Sequence, residues 1–327
     1  MTRISRRNFH RNILSTLTLA PAMEIPMPPF LDNNSSRNPS LTDIDGVLVG
    51  HYTYRERPTG CTVITGPAPF TAGVDVRGGA PGTRETDLLK PENLVDKVDA
   101  IFLSGGSAFG LDTATGISRY LEEKGRGFDA RVAKVPIVCG AILFDLSLGD
   151  AKIRPDAQSG YQAMKVARNS PAPEGNVGAG AGATVGKLLG AEHAMKGGLG
   201  SWSLNRPDGL KVGAVAAVNS AGDVVDPATG KLVAGARKSD GSGFIDTMDQ
   251  LRKGYMPGSP LRENSLIAVV ATNAFLTKTQ CSKLAQMAQD ALARCIYPSH
   301  TPWDGDTVFA ITTGSWSVSY THLTLPT

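Results

Sequence analysis

The chain has 327 residues, 41% of them hydrophobic and 19% charged, a balance that is typical of a globular protein and excludes a largely disordered one. Its net charge of +3 comes from Lys and Arg scattered among Asp and Glu. Because no basic stripe for a polyanion is present, the sequence argues against a nucleic-acid partner. The four cysteines form no CxxC pair, so they indicate neither a zinc site nor a disulfide framework, and we expect no metal and no cofactor.

The first residues resemble an export signal. Arg6 and Arg7 precede a short apolar run, and Ala20-Pro21-Ala22 has the small-x-small form of a signal-peptidase site. We therefore predict a twin-arginine signal at 1–22, a linker at 23–41 and a periplasmic or secreted protein. A cytoplasmic protein with a basic N-terminus is the alternative. No other run approaches the roughly 18 to 20 apolar residues that span a bilayer, so no membrane partner is expected after export.

From Thr42 onward, short apolar runs separated by turns predict a layered α/β domain. The apolar runs that we interpret as strands cover 47–49, 61–64, 73–76, 100–103, 135–138, 140–144, 210–219, 224–225, 265–272 and 307–313, and the predicted helices cover 112–124, 157–169 and a segment after Thr277. The turn at 220–222 predicts a hairpin between the strands at 210–219 and 224–225. Residues 229–263 are polar and glycine-rich and predict a long exposed loop.

Three glycine-rich runs could carry chemistry. The run 77–87 is either a crossover between layers or a loop that positions a substrate or a subunit contact. Ser107 is not a nucleophile elbow, because that motif needs glycine two residues later and Phe109 stands there; we interpret Ser107 as a helix entry. The run 175–187 is not a phosphate loop, because Ala181 and Leu188 replace required residues. Its glycines predict a close backbone approach to a catalytic site, with Lys187 on a following helix.

The polar turn 260–264 passes abruptly into the apolar strand that begins at Ser265. We infer that the chain cuts itself between Asn264 and Ser265 and that Ser265 becomes the nucleophile. A serine at a new N-terminus carries its own base, because its α-amine has a pKa of about 8 and can accept the hydroxyl proton. No histidine triad is then needed, which agrees with five histidines in no recognisable triad arrangement.

Four further polar residues are candidates for the same site. Asn219 and Lys187 could donate to the oxygen of a tetrahedral intermediate. Asp304 and Asp306, separated by one glycine, could orient the amine and the hydroxyl, or one could stay protonated beside the other. Each also has a structural interpretation: a turn residue for Asn219, a solvated helix charge for Lys187, and a turn or a calcium-like loop for Asp-Gly-Asp.

Four motifs together resemble the DmpA-like N-terminal-nucleophile peptidases of family S58. They are Arg77–Asp87 (RGGAPGTRETD), Leu103–Leu111 (LSGGSAFGL), Gly178–Gly182 (GAGAG) and Asn264–Thr272 (NSLIAVVAT). The resemblance implies a four-layer αββα sandwich that is autocleaved into an α chain at 42–264 and a β chain at 265–317. It also implies self-association of the αβ units, with a homotetramer expected.

The carboxylate pair resembles that of the nylon-oligomer hydrolase branch, whereas the aminopeptidase branch carries Ser-x-Glu there. By this similarity Lys187, Asn219, Ser265, Asp304 and Asp306 form the catalytic set, and Phe144 is a candidate substrate contact. The expected substrate is a short peptide or an amide oligomer. The branch typically uses Thr as nucleophile, whereas this chain has Ser265.

Two other functions fit the same residues: a non-catalytic binding or scaffold protein of this fold, and an acyltransferase that uses the same nucleophile. The segment 318–327 continues no pattern, and the strand at 307–313 would ordinarily be followed by a covering helix. We therefore expect a shortened C-terminus with a foreign tail.

Overall fold

The computed structural model describes residues 38–255 and 264–317, so the predicted signal peptide, the linker as far as Arg37 and the C-terminal tail lie outside the described residues. The strands are β1 (Leu48–Thr53), β2 (Gly60–Val76), β3 (Thr83–Arg84), β4 (Lys97–Ser104), β5 (Phe128–Asp129), β6 (Lys134–Val135), β7 (Val138–Ile142), β8 (Thr184–Val185), β9 (Met195–Lys196), β10 (Gly198–Asn205), β11 (Lys211–Asn219), β12 (Asp223–Val225), β13 (Leu232–Ala234), β14 (Ser265–Ala274), β15 (Ile296–Tyr297) and β16 (Thr307–Trp316). The α-helices are α1 (Thr113–Glu123), α2 (Ala157–Lys165), α3 (Thr247–Arg252) and α4 (Lys278–Cys295).

A nine-stranded sheet in the order β10-β11-β14-β16-β2-β4-β7-β3, with β1 also paired to β2, forms the framework. The long strand β2 pairs with β1 and β4 through its first half and with β16 through its second half. Between the halves, Pro67 and Pro69 are exposed and the register with β4 shifts. Proline cannot donate to a ladder, and here it stands where the pairing is interrupted. The two strands predicted at 61–64 and 73–76 are therefore one strand.

The two halves of the sheet pack face to face. Ile64 and Leu103 from one half share a core cluster with Val215, Val269 and Phe309 from the other. The outer face of the second half packs on α4, and the outer face of the first half packs on α1 and α2. The layers therefore run helix, sheet, sheet, helix, and the predicted αββα sandwich is confirmed.

Strand β14 is buried along its whole length, as its apolar sequence predicted. Successive side chains of a strand point to opposite faces. Accordingly Ile267 and Val269 enter the core between the sheets, while Leu266 and Ala268 pack towards α4. The helix predicted after Thr277 is α4, and it begins with a capping box in which the Thr277 side chain accepts from the backbone of Gln280.

Three local predictions are wrong. The hairpin does not form, because β12 pairs with β13 and β15 in a separate small sheet rather than with β11. The segment 229–255 is not one loop, since it contains β13 and α3; Asp223 accepts from Thr247 and draws the start of α3 inward. No helix follows the glycine run before β9, and Lys187 lies in a loop after β8.

Among the residues that the structure describes, no helix is both long and apolar enough to cross a membrane.

Candidate active site

Three strand ends meet at one edge of the sheet. Strand β11 runs antiparallel to β14, so its last residue, Asn219, lies directly opposite Ser265. Strand β16 runs parallel to β14, so the residues before both strands lie at the same edge, and Asn264 forms a bridge with Asp304. The structure thus brings Ser265, Asn219, Asp304 and Asp306 together as predicted. All four are buried, with Ser265 4% exposed.

The Ser265 hydroxyl lies on the carbonyl of the peptide bond that precedes it. Its Oγ donates to the Asn264 oxygen over 2.5 Å. The same oxygen accepts the backbone N–H of Gly305 over 2.9 Å. A carbonyl held by a fixed N–H donor is polarised, and the donor can stabilise negative charge that develops on the oxygen. The hydroxyl, the carbonyl and a donor for an oxyanion are therefore in contact.

Gly305 has no room for a side chain. A Cβ atom there would lie 2.5 Å from Ser265 Oγ and 2.9 Å from the Ala80 oxygen. Ala80 belongs to the loop 77–87. Its N–H donates to the Asp304 carbonyl over 2.8 Å, and a Cβ on Gly78 would clash with the same carbonyl. The loop therefore packs on the Asp-Gly-Asp turn.

Asp306 ties the turn to the start of β14. Its Oδ1 accepts the Leu266 N–H over 2.8 Å. Its Oδ2 accepts the backbone N–H of His300 over 3.1 Å and bonds His300 Nδ1 over 2.8 Å. Three donors therefore converge on this carboxyl group. On the imidazole, this hydrogen bond raises the pKa of His300 above its usual range, against the opposing effect of burial.

Asp304 is buried, and its carboxyl group accepts fewer hydrogen bonds than that of Asp306. Its Oδ2 accepts the Thr301 N–H over 2.7 Å, but its buried Oδ1 makes no hydrogen bond to the described residues. Burial, followed by the charge of Asp306, raises the pKa of Asp304 to about 6, and the bonds from Thr301 and the charge of Lys187 oppose that rise only in part. Asp304 therefore titrates at about pH 6.

Lys187 reaches the site from the loop after β8. Its Nζ donates to Asn219 Oδ1 over 2.8 Å and to the Asn219 carbonyl over 3.3 Å. The Asn219 amide is fixed further, because its Oδ1 also accepts the Thr184 N–H over 3.0 Å and its Nδ2 donates to the Phe144 carbonyl over 3.0 Å. Phe144, predicted as a substrate contact, thus touches the site through its backbone.

A buried ion pair supports the wall behind Phe144. Arg57 and Asp145 form a 2.9 Å bridge with both side chains fully buried. Asp145 also accepts the Thr59 hydroxyl over 2.7 Å, and a Cβ on Gly182 would fall 2.5 Å from its Oδ2. The predicted close approach of the glycines at 178–182 to the nucleophile is wrong: Gly182 packs on Asp145, while Gly178 packs on Thr62 and Gly180 on Leu199.

Three contributors were missed from the sequence: His300, Thr301 and Gly305. The sequence does contain a signal, because His300 precedes Asp304 and Asp306 by four and six residues in one turn. A search for a serine triad passes over that spacing.

The family model described as peptidase family S58 matches residues 39–325. The chain belongs to peptidase family S58. Among its S58 relatives, an uncharacterised aminopeptidase of Mycobacterium leprae is 45% identical over 293 residues, covering 84% of this chain and 79% of the relative. A 6-aminohexanoate-oligomer endohydrolase of Paenarthrobacter ureafaciens is 32% identical over 277 residues, covering 83% and 74%. The protein is accordingly a hydrolase that acts on amide bonds.

Solved structures show the same fold. The L-aminopeptidase D-Ala-esterase/amidase of Ochrobactrum anthropi, a variant of the N-terminal-nucleophile hydrolase fold, matches with a TM-score of 0.62 at 20% identity, covering 89% of this chain and 78% of that one. The PH0078 protein of Pyrococcus horikoshii matches with a TM-score of 0.63 at 22% identity, covering 84% and 74%. The S58 chain therefore has the predicted N-terminal-nucleophile type of sandwich.

Proposed function

We propose that this S58 chain cuts itself between Asn264 and Ser265 and that the freed Ser265 hydrolyses short amides through an acyl-enzyme. The observation that carries the proposal is the 2.5 Å contact of Ser265 Oγ with the Asn264 oxygen, which Gly305 also holds. The hydroxyl therefore lies beside the carbonyl that it must attack, and a donor already faces the oxygen that would become negative.

Self-cleavage would proceed as an acyl shift. Ser265 Oγ attacks the carbonyl carbon of Asn264, and the C–N bond to Ser265 breaks as the hydroxyl proton passes to the Ser265 nitrogen. The product is an ester between Asn264 and Ser265 Oγ together with a free α-amine. Water then hydrolyses the ester, which yields the Asn264 carboxylate and restores the hydroxyl. Gly305 N–H stabilises the tetrahedral oxygen during the first step.

The same chemistry then repeats on a substrate. The α-amine of Ser265, with a reference pKa of about 8, accepts the hydroxyl proton, and Oγ attacks the substrate carbonyl. The leaving amine takes up the proton, an acyl ester forms on Ser265, and water releases the acid. Lys187 and Asn219 would stabilise the oxyanion, while Asp304 and Asp306 would orient the new amine.

The substrate that we propose is a short peptide or an amide oligomer. Support comes from the relatives, of which some are described as aminopeptidases and others as 6-aminohexanoate-oligomer endohydrolases. The Asp304-Gly-Asp306 pair agrees with the second group, whereas the higher identity is to the first. A panel of both amide classes distinguishes them.

Mass spectrometry of the purified protein tests the proposal. We expect wild type to yield two fragments that meet at Asn264 and Ser265, and Ser265→Ala to stay whole and inactive. Ser265→Thr is the matched variant, because it keeps the hydroxyl and should still cut. A whole wild-type chain that hydrolyses amides would refute the mechanism, and a whole chain that hydrolyses none would indicate a binding protein. Transfer of the acyl group to an added amine would indicate an acyltransferase.

We also propose export through the twin-arginine segment and assembly of the cut units into a homotetramer. Both proposals rest on sequence resemblance. Fractionation of expressing cells tests the first, and light scattering of the purified protein tests the second.

A further inference from the structure

We propose that His300 is a positioning residue for this hydrolysis: it clamps Asp306 so that the carboxylate holds the start of β14, and its positive charge sets the acid limit of activity. The inference rests on the proposed function, because Ser265 opens β14. His300 is not among the predicted catalytic residues.

The clamp consists of hydrogen bonds to both carboxylate oxygens of Asp306. One carboxylate oxygen accepts the Leu266 N–H, one peptide beyond Ser265, over 2.8 Å. The other bonds the imidazole Nδ1 of His300 over 2.8 Å and the His300 N–H over 3.1 Å. The carboxylate thus bridges the β14 start on one side and His300 on the other. Without the imidazole, Oδ2 would keep only the longer of its two bonds.

The backbone of His300 is shaped for this contact. Its φ of 54° lies in the left-handed region, which few residues other than glycine adopt and in which Asn, Asp and His are enriched. This conformation directs the backbone N–H and the ring of one residue at the same carboxylate oxygen. Asn can take up the same backbone, and its side-chain amide nitrogen replaces Nδ1 as a neutral donor.

The charges around His300 favour the protonated ring. Asp306 is its partner within the turn, and the backbone of Gln289 on α4 also favours the charged form. Arg77, after β2, opposes it, but the guanidinium of Arg77 pairs with Asp75 over 2.8 Å and Asp290 over 3.4 Å. The ring is half-buried, with its side chain 18% exposed.

The charge has a consequence for Asp304. Asp306 raises the pKa of Asp304, and a protonated His300 beside Asp306 offsets part of that negative charge. Because the pKa of His300 is raised, the ring is still protonated where Asp304 titrates, at about pH 6. Removal of the positive charge should therefore move the titration of Asp304 to higher pH.

Two substitutions separate the clamp from the charge. His300→Asn keeps a donor and tolerates the left-handed backbone but removes the charge. We expect it to cut normally, to keep its kcat at pH 8, and to shift the acid limb of kcat/KM upward by about one pH unit.

His300→Ala removes both the hydrogen-bond donor and the charge. We expect slower cutting and a kcat lower by about 10- to 100-fold with little change in KM, as for a lost hydrogen bond to a charged group. His193→Asn is the control and should behave as wild type.

An NMR titration gives a readout independent of activity. The imidazole signal that is missing in His300→Asn identifies His300, and its pKa should fall in Asp306→Asn. The inference is overturned if that pKa does not move, if the acid limb of His300→Asn coincides with wild type, or if His300→Ala cuts and turns over normally. If wild type neither cuts nor hydrolyses amides, the proposed function is refuted. If wild type is active and the His300 variants behave like it, only the role of His300 is refuted. If His300→Ala does not fold, His300→Asn carries the test.

Discussion

Asp304 and Asp306 are two residues apart, and yet their carboxyl groups differ in the hydrogen bonds that they accept. Asp306 accepts bonds from Leu266 and His300 through both oxygens, while one buried oxygen of Asp304 accepts none from the described residues. A buried carboxyl with few donors keeps its proton to higher pH, which accounts for a pKa of about 6 at Asp304. The two carboxyls therefore differ in how many of their oxygens accept a hydrogen bond.

Activity should depend on the ionised form of Asp304, because a carboxylate accepts a hydrogen bond from the new amine of Ser265 more strongly than a neutral carboxyl does. The carboxyl is neutral below about pH 6 and charged above it, so kcat/KM should rise as pH increases through that value. Asp304→Asn should lose this limb and most of the turnover. The measurement is a pH profile of both proteins on one amide substrate; an identical limb in the variant would contradict the assignment.

The same shift has an opposite effect on stability. A folded-state pKa above the unfolded value of about 3.9 means that the native protein binds the proton more tightly, so this group's contribution falls as pH rises from about 4 to 6. Asp304→Asn, which never ionises, should therefore gain in Tm relative to wild type more at pH 8 than at pH 5. Calorimetry at the two pH values tests the sign.

The site residues differ in how far the sequence could identify them. Ser265 stands at a junction of polar and apolar residues, which marks a strand entry, and the resemblance assigned to the catalytic set four residues that were candidates on other grounds. His300 could not be found in the same way, because its role depends on a left-handed backbone that turns it onto Asp306. Gly305 was unremarkable in sequence, because the contact that excludes a side chain comes from Ser265 and Ala80.

At the scale of elements, the sequence predicted strands best where both faces are apolar. The segment 265–272 contains almost only apolar residues, and β14 is buried throughout. Strand β2 was divided because Pro67 and Pro69 normally end a strand, and they are tolerated only where β4 leaves its register. Strand β12 was paired wrongly because a short turn favours a hairpin with β11 locally, whereas its partners are β13, the next strand along the chain, and β15, which is distant in sequence.

A methyl group on Gly305, in the turn between β15 and β16, should prevent self-cleavage. The new Cβ would lie 2.5 Å from Ser265 Oγ, so the hydroxyl must leave the Asn264 carbonyl or the turn must shift. We expect Gly305→Ala to accumulate as an uncut chain. Gly200→Ala is the control, since its Cβ would meet no atom within 4 Å. Time-resolved gel analysis of both variants measures the cutting rate, and equal rates would show that the contact does not matter.

At the scale of the whole molecule, the segment after Ser265 supplies the middle of the structure. Strands β14 and β16 are neighbours between β11 and β2, and α4 covers their outer face. A cut before Ser265 would break one peptide bond and leave these ladders intact. The two fragments should therefore remain together as one folded unit.

Refolding should reveal the cut. The uncut Ser265→Ala chain folds as one molecule, whereas cut wild type must bring two fragments together after denaturation. We expect the rate at which the individual unit refolds, before any assembly into a tetramer, to be independent of protein concentration for Ser265→Ala and to rise with concentration for wild type. Stopped-flow measurements over a tenfold range of concentration test this, and a wild-type rate independent of concentration would contradict it.

The parallel pairing of β14 and β16 also limits which insertions and deletions the chain can accept. Each residue advances a strand by about 3.3 Å, and a slip of one residue turns every side chain to the other face. Asp306 would then lose the Leu266 N–H, which it now meets at 2.8 Å. The first part of the connection between the strands, as far as the end of α4, contributes no residue to this pairing, whereas the part after α4 holds β15 and His300. In related sequences, changes in length should therefore collect in the first part and be absent from the residues that open the two strands.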